Sequence, residues 1–286
     1  MDRVRTVKAN GIEFGYLSMG SGPLALCLHG FPDSAHTWRH LLPELAERGY
    51  HAVAPFMRGY APTGVPADGA YEGGALIADA VALHDALGGD ADAVLIGHDW
   101  GALPVYGAVA FAPGRWRRAV AMAMPPIGAM LTSFFDYEQL KRSFYIFLFQ
   151  TGLAETAATS EGFIEGLWRD WSPGYAAGED VAHVKECLRD PENLAAAIGY
   201  YRAMLGTTPQ TGHYAEEQAA VGRVGERPVL YLHGHDDGCL GADLVKGAAP
   251  HLPKGSRVQV LRGAGHFLHL ERPREVNDAI LRWLDR

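Results

Sequence analysis

Residues 93–111, AVLIGHDWGALPVYGAVAF, set a short apolar run directly against a helical pattern, with Gly97-His98-Asp99-Trp100-Gly101 at the junction. A glycine two residues on either side of Asp99 is the spacing of a nucleophile elbow, the sharp strand-to-helix turn that lifts one side chain above a sheet. The turn crowds its neighbours, so the flanking positions must be small. Such a turn belongs at the end of a strand in a mostly parallel sheet, and the rest of the chain agrees. PLALCLHG (23–30), YHAVAPF (50–56), RAVAMAM (118–124), PVLYLHG (228–234) and RVQVLR (257–262) read as further strands. Residues 35–50 and 273–286 read as helices, as do 73–88, where Ile77, Val81, His84 and Leu87 recur about once a turn. After Pro125-Pro126 the strand signal lapses, and residues 127 to about 222 are aromatic-rich and helical in texture. The pattern predicts an α/β core made of 1–125 and 223–286, a mostly parallel sheet flanked by helices, with a helical cap inserted at 126–222.

Composition narrows the function. The chain has 286 residues, 48% of them hydrophobic, and a net charge of −8. This is too apolar for a disordered chain and too acidic for a nucleic-acid binder, whose affinity rests on Lys and Arg. Cys27, Cys187 and Cys239 are far apart and odd in number, which fits reduced thiols in a cytoplasmic protein rather than a disulfide framework. The leading residues MDRVRTVKANGIEFGYL hold no apolar export segment, and no run has the length of a membrane span. His233-x-His235-x-Asp237 begins like a metal-binding motif, but Gly238 stands where the closing His would be. His266 and His269 lack the i, i+4 spacing of a helical zinc pair, and no phosphate loop is present, so neither a metal nor another cofactor is expected. Nothing in the pattern fixes an oligomeric state.

An Asp at the tip of the elbow changes the chemistry from that of a serine hydrolase. Its carboxylate is ionised at neutral pH without help from a base. It suits displacement at a saturated carbon, forming an ester that water then cleaves at its carbonyl carbon with a His as general base. That points to epoxides and alkyl halides. The oxyanion formed in the second step needs backbone donors. The N–H of Trp100 is one candidate, and Phe31 in His29-Gly30-Phe31-Pro32 is the other. His266, after the last strand, is the expected base, with His269 as its rival. Asp237 in Gly234-His235-Asp236-Asp237-Gly238 is the expected orienting acid, with Asp236 beside it as runner-up. The order Asp99, Asp237, His266 is nucleophile, acid, base.

HGFPDSAHTW, MRGYAPTG, GHDWG, HGHDDG and GAGHFLHLERP together resemble the α/β-hydrolase-fold epoxide hydrolases, over most of 20–125 and 226–286 and part of the insertion. Haloalkane dehalogenases share the Asp elbow, but they typically carry Asn where Phe31 stands. Fluoroacetate-type dehalogenases typically carry Arg where Trp100 stands. The resemblance implies two cap tyrosines that donate to the opening oxirane oxygen. Tyr145 in FYIFLFQ and Tyr201 in GYYRAM occupy those segments, with Tyr200 as the neighbour to weigh. An alkoxide leaving group calls for such proton donors and a halide does not. The chain departs from the family's usual stretch at Phe56 and Ala61, which bears on pocket shape. Phe134, Phe135, Phe147, Phe149, Leu167 and Trp168 suggest an apolar pocket, with packing within the cap the equal alternative for most of them. The reading is a cofactor-independent hydrolase acting on a small apolar epoxide. A dehalogenase, or a ligand-binding protein that keeps the hydrolase pocket, is the alternative.

Overall fold

The computed structural model describes residues 4–285; the first three residues of the leading segment and Arg286, at the end of the predicted last helix, lie outside the described residues. Eight strands form one sheet: β1 (Arg5–Ala9), β2 (Ile12–Met19), β3 (Leu24–Leu28), β4 (His51–Pro55), β5 (Val94–His98), β6 (Arg118–Met122), β7 (Val229–Gly234) and β8 (Arg257–Leu261). Their spatial order is β1-β2-β4-β3-β5-β6-β7-β8. Pairings from β4 to β8 are parallel, and those of β1 with β2 and β2 with β4 are antiparallel. Strands β3 and β5 are buried along their whole length, which is why they read as continuous apolar runs rather than alternating ones.

Strands β1 and β2 are absent from the sequence reading above. β1 is exposed along most of its length, and β2 mixes exposed with buried positions. The turn between them carries a signal after all: Asn10-Gly11 has φ of 45° and 73°, the left-handed pair that a tight hairpin requires.

Helices α1 (Leu41–Glu47), α2 (Gly73–Ala86) and α3 (Ala102–Phe111) connect the first strands. The helix expected at 35–50 is split, with a 3₁₀ turn at Ala35–His40 leading into α1. Between β6 and β7 the chain is entirely helical: α4 (Ile127–Ser133), α5 (Tyr137–Arg142), α6 (Phe144–Leu148), α7 (Ala154–Ala158), α8 (Phe163–Trp171), α9 (Gly178–Cys187), α10 (Pro191–Leu205) and α11 (Ala215–Gln218). Helices α12 (Leu268–Glu271) and α13 (Pro273–Leu284) close the chain.

Register brings the site together. Leu28 pairs with Gly97, His98 with Met122, and Gly234 with Leu261, so the carboxyl ends of the parallel strands lie side by side. Ligand sites in such sheets form at this edge. The loops leaving it carry Phe31, Asp99, Asp237 and His266. Asp99 itself sits at φ 51°, a left-handed conformation that costs a non-glycine residue about 1–3 kcal/mol. The glycines on either side make that turn possible. A Cβ on Gly97 would run into the Gly101 carbonyl, and a Cβ on Gly101 into the Leu28 carbonyl.

Gly101→Ala is therefore expected to lose about 2–3 kcal/mol of stability, since the atoms it meets are backbone and cannot swing away. Gly114→Ala, with nothing within 4 Å of the new methyl, should stay within about 0.5 kcal/mol. Denaturant unfolding of the two variants beside the parent measures the difference.

Candidate active site

The last residue of β5, His98, hands directly to Asp99 at the start of a 3₁₀ turn that opens α3. Asp99 Oδ1 accepts the Phe31 N–H at 2.8 Å. Trp100 follows in the turn, and its ring lies 5.2 Å from that of Tyr201 and 5.4 Å from that of Tyr200. Of the two amides expected to stabilise an oxyanion, the recorded hydrogen bond into the carboxylate comes from Phe31.

His266 stands between two carboxylates. Its Nδ1 is 3.0 Å from Asp237 Oδ2, and its Nε2 is 3.5 Å from Asp99 Oδ2 without a hydrogen bond. Asp237 is fixed in turn, because its Oδ1 accepts the N–H groups of Cys239 (2.7 Å) and Leu240 (2.9 Å). All three side chains are buried, with Asp99 the most accessible. Burial alone would lower the His266 pKa; the Asp237 and Asp99 carboxylates outweigh it and push it up to about 10. Burial disfavours ionised Asp99 and Asp237, but the His266 imidazole holds both below the usual carboxylate range.

The structure separates the paired candidates. Asp236 is half exposed and bonds His235 Nδ1 at 2.7 Å, so it does not reach His266. His269 Nε2 meets Thr37 Oγ1 at 2.5 Å, away from the nucleophile. Tyr200 donates its hydroxyl to the Arg58 carbonyl at 2.9 Å. Arg58 is itself locked to Asp79 by two bonds of 2.6 Å. Tyr145 and Tyr201 instead border the same small cavity as Asp99, with ring centres 5.5 Å apart. Tyr201 Oη is buried with no hydrogen-bond partner among the described residues, and Tyr145 Oη lies 3.5 Å from Cys239 Sγ. Burial first, then nearby groups that include Asp99, raises both phenols well above their ordinary pKa, so both remain proton donors at neutral pH.

Several participants carry no motif. Cys239, Met124, Met130 and Met204 line the cavities around the nucleophile. Cys239 is kept a thiol by burial and by Asp237 and Asp99, so it does not compete as a nucleophile. Trp171 uses its main chain: its carbonyl accepts both His266 N–H (2.9 Å) and Gly238 N–H (3.1 Å), joining the base loop to the acid loop. The nearest sequence signal was the run of aromatics in 163–171, which shows apolarity but not a backbone acceptor.

The expected cap lining is only partly realised. Phe134 borders the cavity, whereas Phe135 is 68% exposed and Phe147 40% exposed. Trp168 instead pins the cap down: its ring stacks on Phe267 at 3.4 Å, and its Nε1 donates to the Pro32 carbonyl at 2.9 Å. Phe149 is fully buried against Phe31 and Tyr201. Phe56 packs beside His36, and the Ala61 N–H donates to the Cys187 carbonyl on α9, a backbone bond that does not depend on the Ala61 side chain.

Two groups of three donor atoms lie close enough for a metal among the described residues. One, Asp99, Cys239 and His266, is the site just described. The other is Asp33, His98 and His269, behind the base. Burial pushes His98 down to about 3, lowers His269 and raises Asp33. His98 Nε2 also holds the His266 carbonyl at 2.9 Å. His233 and His235 do not converge: His233 is buried against Leu240 O and His235 is exposed.

The α/β hydrolase fold family matches residues 23–273. Epoxide hydrolase A of Mycobacterium tuberculosis is 30% identical over 319 residues, covering 98% of this chain and 96% of that protein. The crystal structure of Epoxide Hydrolase A from Mycobacterium thermoresistibile aligns with a TM-score of 0.80 at 27% identity, covering 100% of this chain and 98% of that one. A putative epoxide hydrolase structure from Klebsiella pneumoniae superposes with a TM-score of 0.88 at 23% identity, covering 100% and 98%, and speaks for the fold. The chain belongs to the α/β-hydrolase fold family and, within it, to the epoxide hydrolases.

Proposed function

We propose that this enzyme converts an epoxide and water to a vicinal diol through an ester on Asp99. The observation that carries the reading is the pair of buried phenols, Tyr145 and Tyr201, on the same small cavity as the Asp99 carboxylate. One oxygen attacks a ring carbon while the other end of the broken C–O bond meets proton donors.

The charges make the two half-reactions follow one another. Before reaction His266 holds a proton between two carboxylates. Attack by Asp99 forms the C–O bond of the ester and releases an alkoxide, which takes a proton through the tyrosines. Esterification also removes the negative charge of Asp99, one of the two groups that hold the His266 proton. His266 then gives that proton up, replacing the one the tyrosines pass to the alkoxide, and becomes a base, still oriented by Asp237. It draws a proton from water as the water oxygen attacks the Asp99 carbonyl carbon. The Phe31 N–H, already on Oδ1, and the Trp100 N–H stabilise the oxyanion. On collapse the departing oxygen takes the remaining proton of the added water, freeing the diol and returning the carboxylate and the imidazolium, so protons balance over the cycle.

The three unpaired buried cysteines fit a reducing compartment, and we assign the protein to the cytoplasm. Its partner is a small apolar substrate.

His266→Gln should still be alkylated but fail to turn over, so intact-protein mass spectrometry after incubation with styrene oxide shows one added substrate mass on Asp99. An unmodified chain refutes the ester. Tyr201→Phe should slow ring opening about 100-fold or more in single-turnover experiments. Release of halide from haloalkanes, with no diol from any epoxide, would assign the site to dehalogenation. A further expectation concerns pH. The folded pKa of His266 lies above its ordinary 6.5, so its contribution to stability is complete below about 6.5 and is lost as pH rises toward 10. The Tm should fall between pH 7 and pH 10, and fall less steeply in His266→Gln, as calorimetry across that window will record.

A further inference from the structure

The space around Asp99 is walled by aromatic rings on one flank and adjoins a larger cleft on another. The cavity directly over the nucleophile is small, about 40 Å³. On one flank it is closed by aromatic rings in mutual contact. Phe31 lies 5.6 Å from Phe149, Tyr145 lies 5.1 Å from Trp171, and Phe149 lies 5.3 Å from Tyr201, all of them buried. The main-chain bonds from Trp171 to both catalytic loops and the Trp168 stack hold that flank shut.

On the opposite flank the same cavity continues between α4 and α10 into a cleft of about 280 Å³. Trp100, Met124, Met130, Phe134 and Met204 border both spaces. The cleft reaches the surface beside Leu131 and Phe135, which are 60% and 68% exposed, so its approach is apolar as well. Methionines on such a wall adapt to a flexible aliphatic chain better than a rigid lining would. The only charged side chain among the described residues lining the cleft is Glu72. Its Oε1 accepts from Thr211 N (3.1 Å) and Thr211 Oγ1 (2.8 Å). No Lys or Arg lines the cleft to receive an anionic group.

Resting on the epoxide-hydrolase reading, we infer that the substrate is a neutral terminal epoxide with one extended apolar arm. The oxirane sits in the small space between Asp99 and the two phenols, and the arm lies in the cleft between α4 and α10. An epoxide in mid-chain would drive its second arm into the Phe31, Phe149 and Trp171 rings. A terminal epoxide ending in a carboxylate would bring its charge into an apolar cleft whose one ionisable acid is also negative when charged.

The test is diol formation by the wild-type enzyme across terminal epoxides from butene oxide to decene oxide. Beside them run the trans isomer of decene oxide with its ring at the chain centre, and the terminal epoxide of undecenoate with its methyl ester. The proposal expects kcat/KM to climb about threefold to fourfold per added methylene until the cleft is full. It expects the mid-chain isomer to fall at least ~100-fold below the terminal one, and the free carboxylate ~10-fold below its ester, as buried charge without a partner is costly. Ile127→Trp, which fills the cleft away from Asp99, should flatten the climb by raising KM for the long members. Diol formation with a flat series, a preferred mid-chain isomer or a preferred carboxylate overturns the cleft assignment alone. Absence of diol from every member overturns the hydrolase reading with it.

Discussion

Everything at the site depends on one arrangement of charge: a single imidazole enclosed with two carboxylates where water is largely shut out. Each ion is unfavourable there by itself, because burial penalises the charged form. Together they favour one another, and the imidazole ends up holding its proton far above its ordinary pKa. The balance is poised rather than simply strong. Neutralising either acid weakens the hold on that proton, and under the proposed mechanism the ester on Asp99 does so without any movement of the chain.

The surrounding structure keeps this arrangement in place with backbone atoms more than with side chains. Asp237 is held by two amides, Asp99 by one, and His266 by carbonyl contacts from Trp171 and to His98. Apart from the His98 ring, such partners do not change with the identity of the residue that supplies them. The turn that presents Asp99 is strained in φ, and the close approach of Gly97 and Gly101 to neighbouring carbonyls shows how little room it has.

Much of this was legible in the sequence. The central strands are buried on both faces, so they appear as unbroken apolar runs, and the chemistry-bearing loops follow them at once. Asp237, Asp99 and Phe31 were locatable because each stands just beyond such a run, while His266 follows β8, whose RVQVL alternates and is partly exposed. The hairpin of β1 and β2 was missed because β1 is mostly exposed and β2 mixes polar with apolar residues, leaving Asn10-Gly11 as a cue. Within the cap, adjacent tyrosines could not be told apart from one another by texture. Tyr200 and Tyr201 differ only in what surrounds them, and the deciding contact, the Arg58 carbonyl, lies 142 residues away in the chain. The apolar positions of the insertion divide for the same reason: Phe134 and Phe135 border the cleft, Phe149 and Trp168 pack inside, and Phe147 is 40% exposed.

The carbonyl of Trp171, shared by the loops that carry the acid and the base, gives the cap a structural office of its own. A main-chain oxygen is indifferent to which side chain hangs beside it. Cap sequences can therefore drift widely at that position while the acceptor survives, but a one-residue insertion or deletion in α8 would swing it out of place. Whoever transplants another cap onto this scaffold must preserve the phase of that helix relative to both loops before choosing any of its side chains.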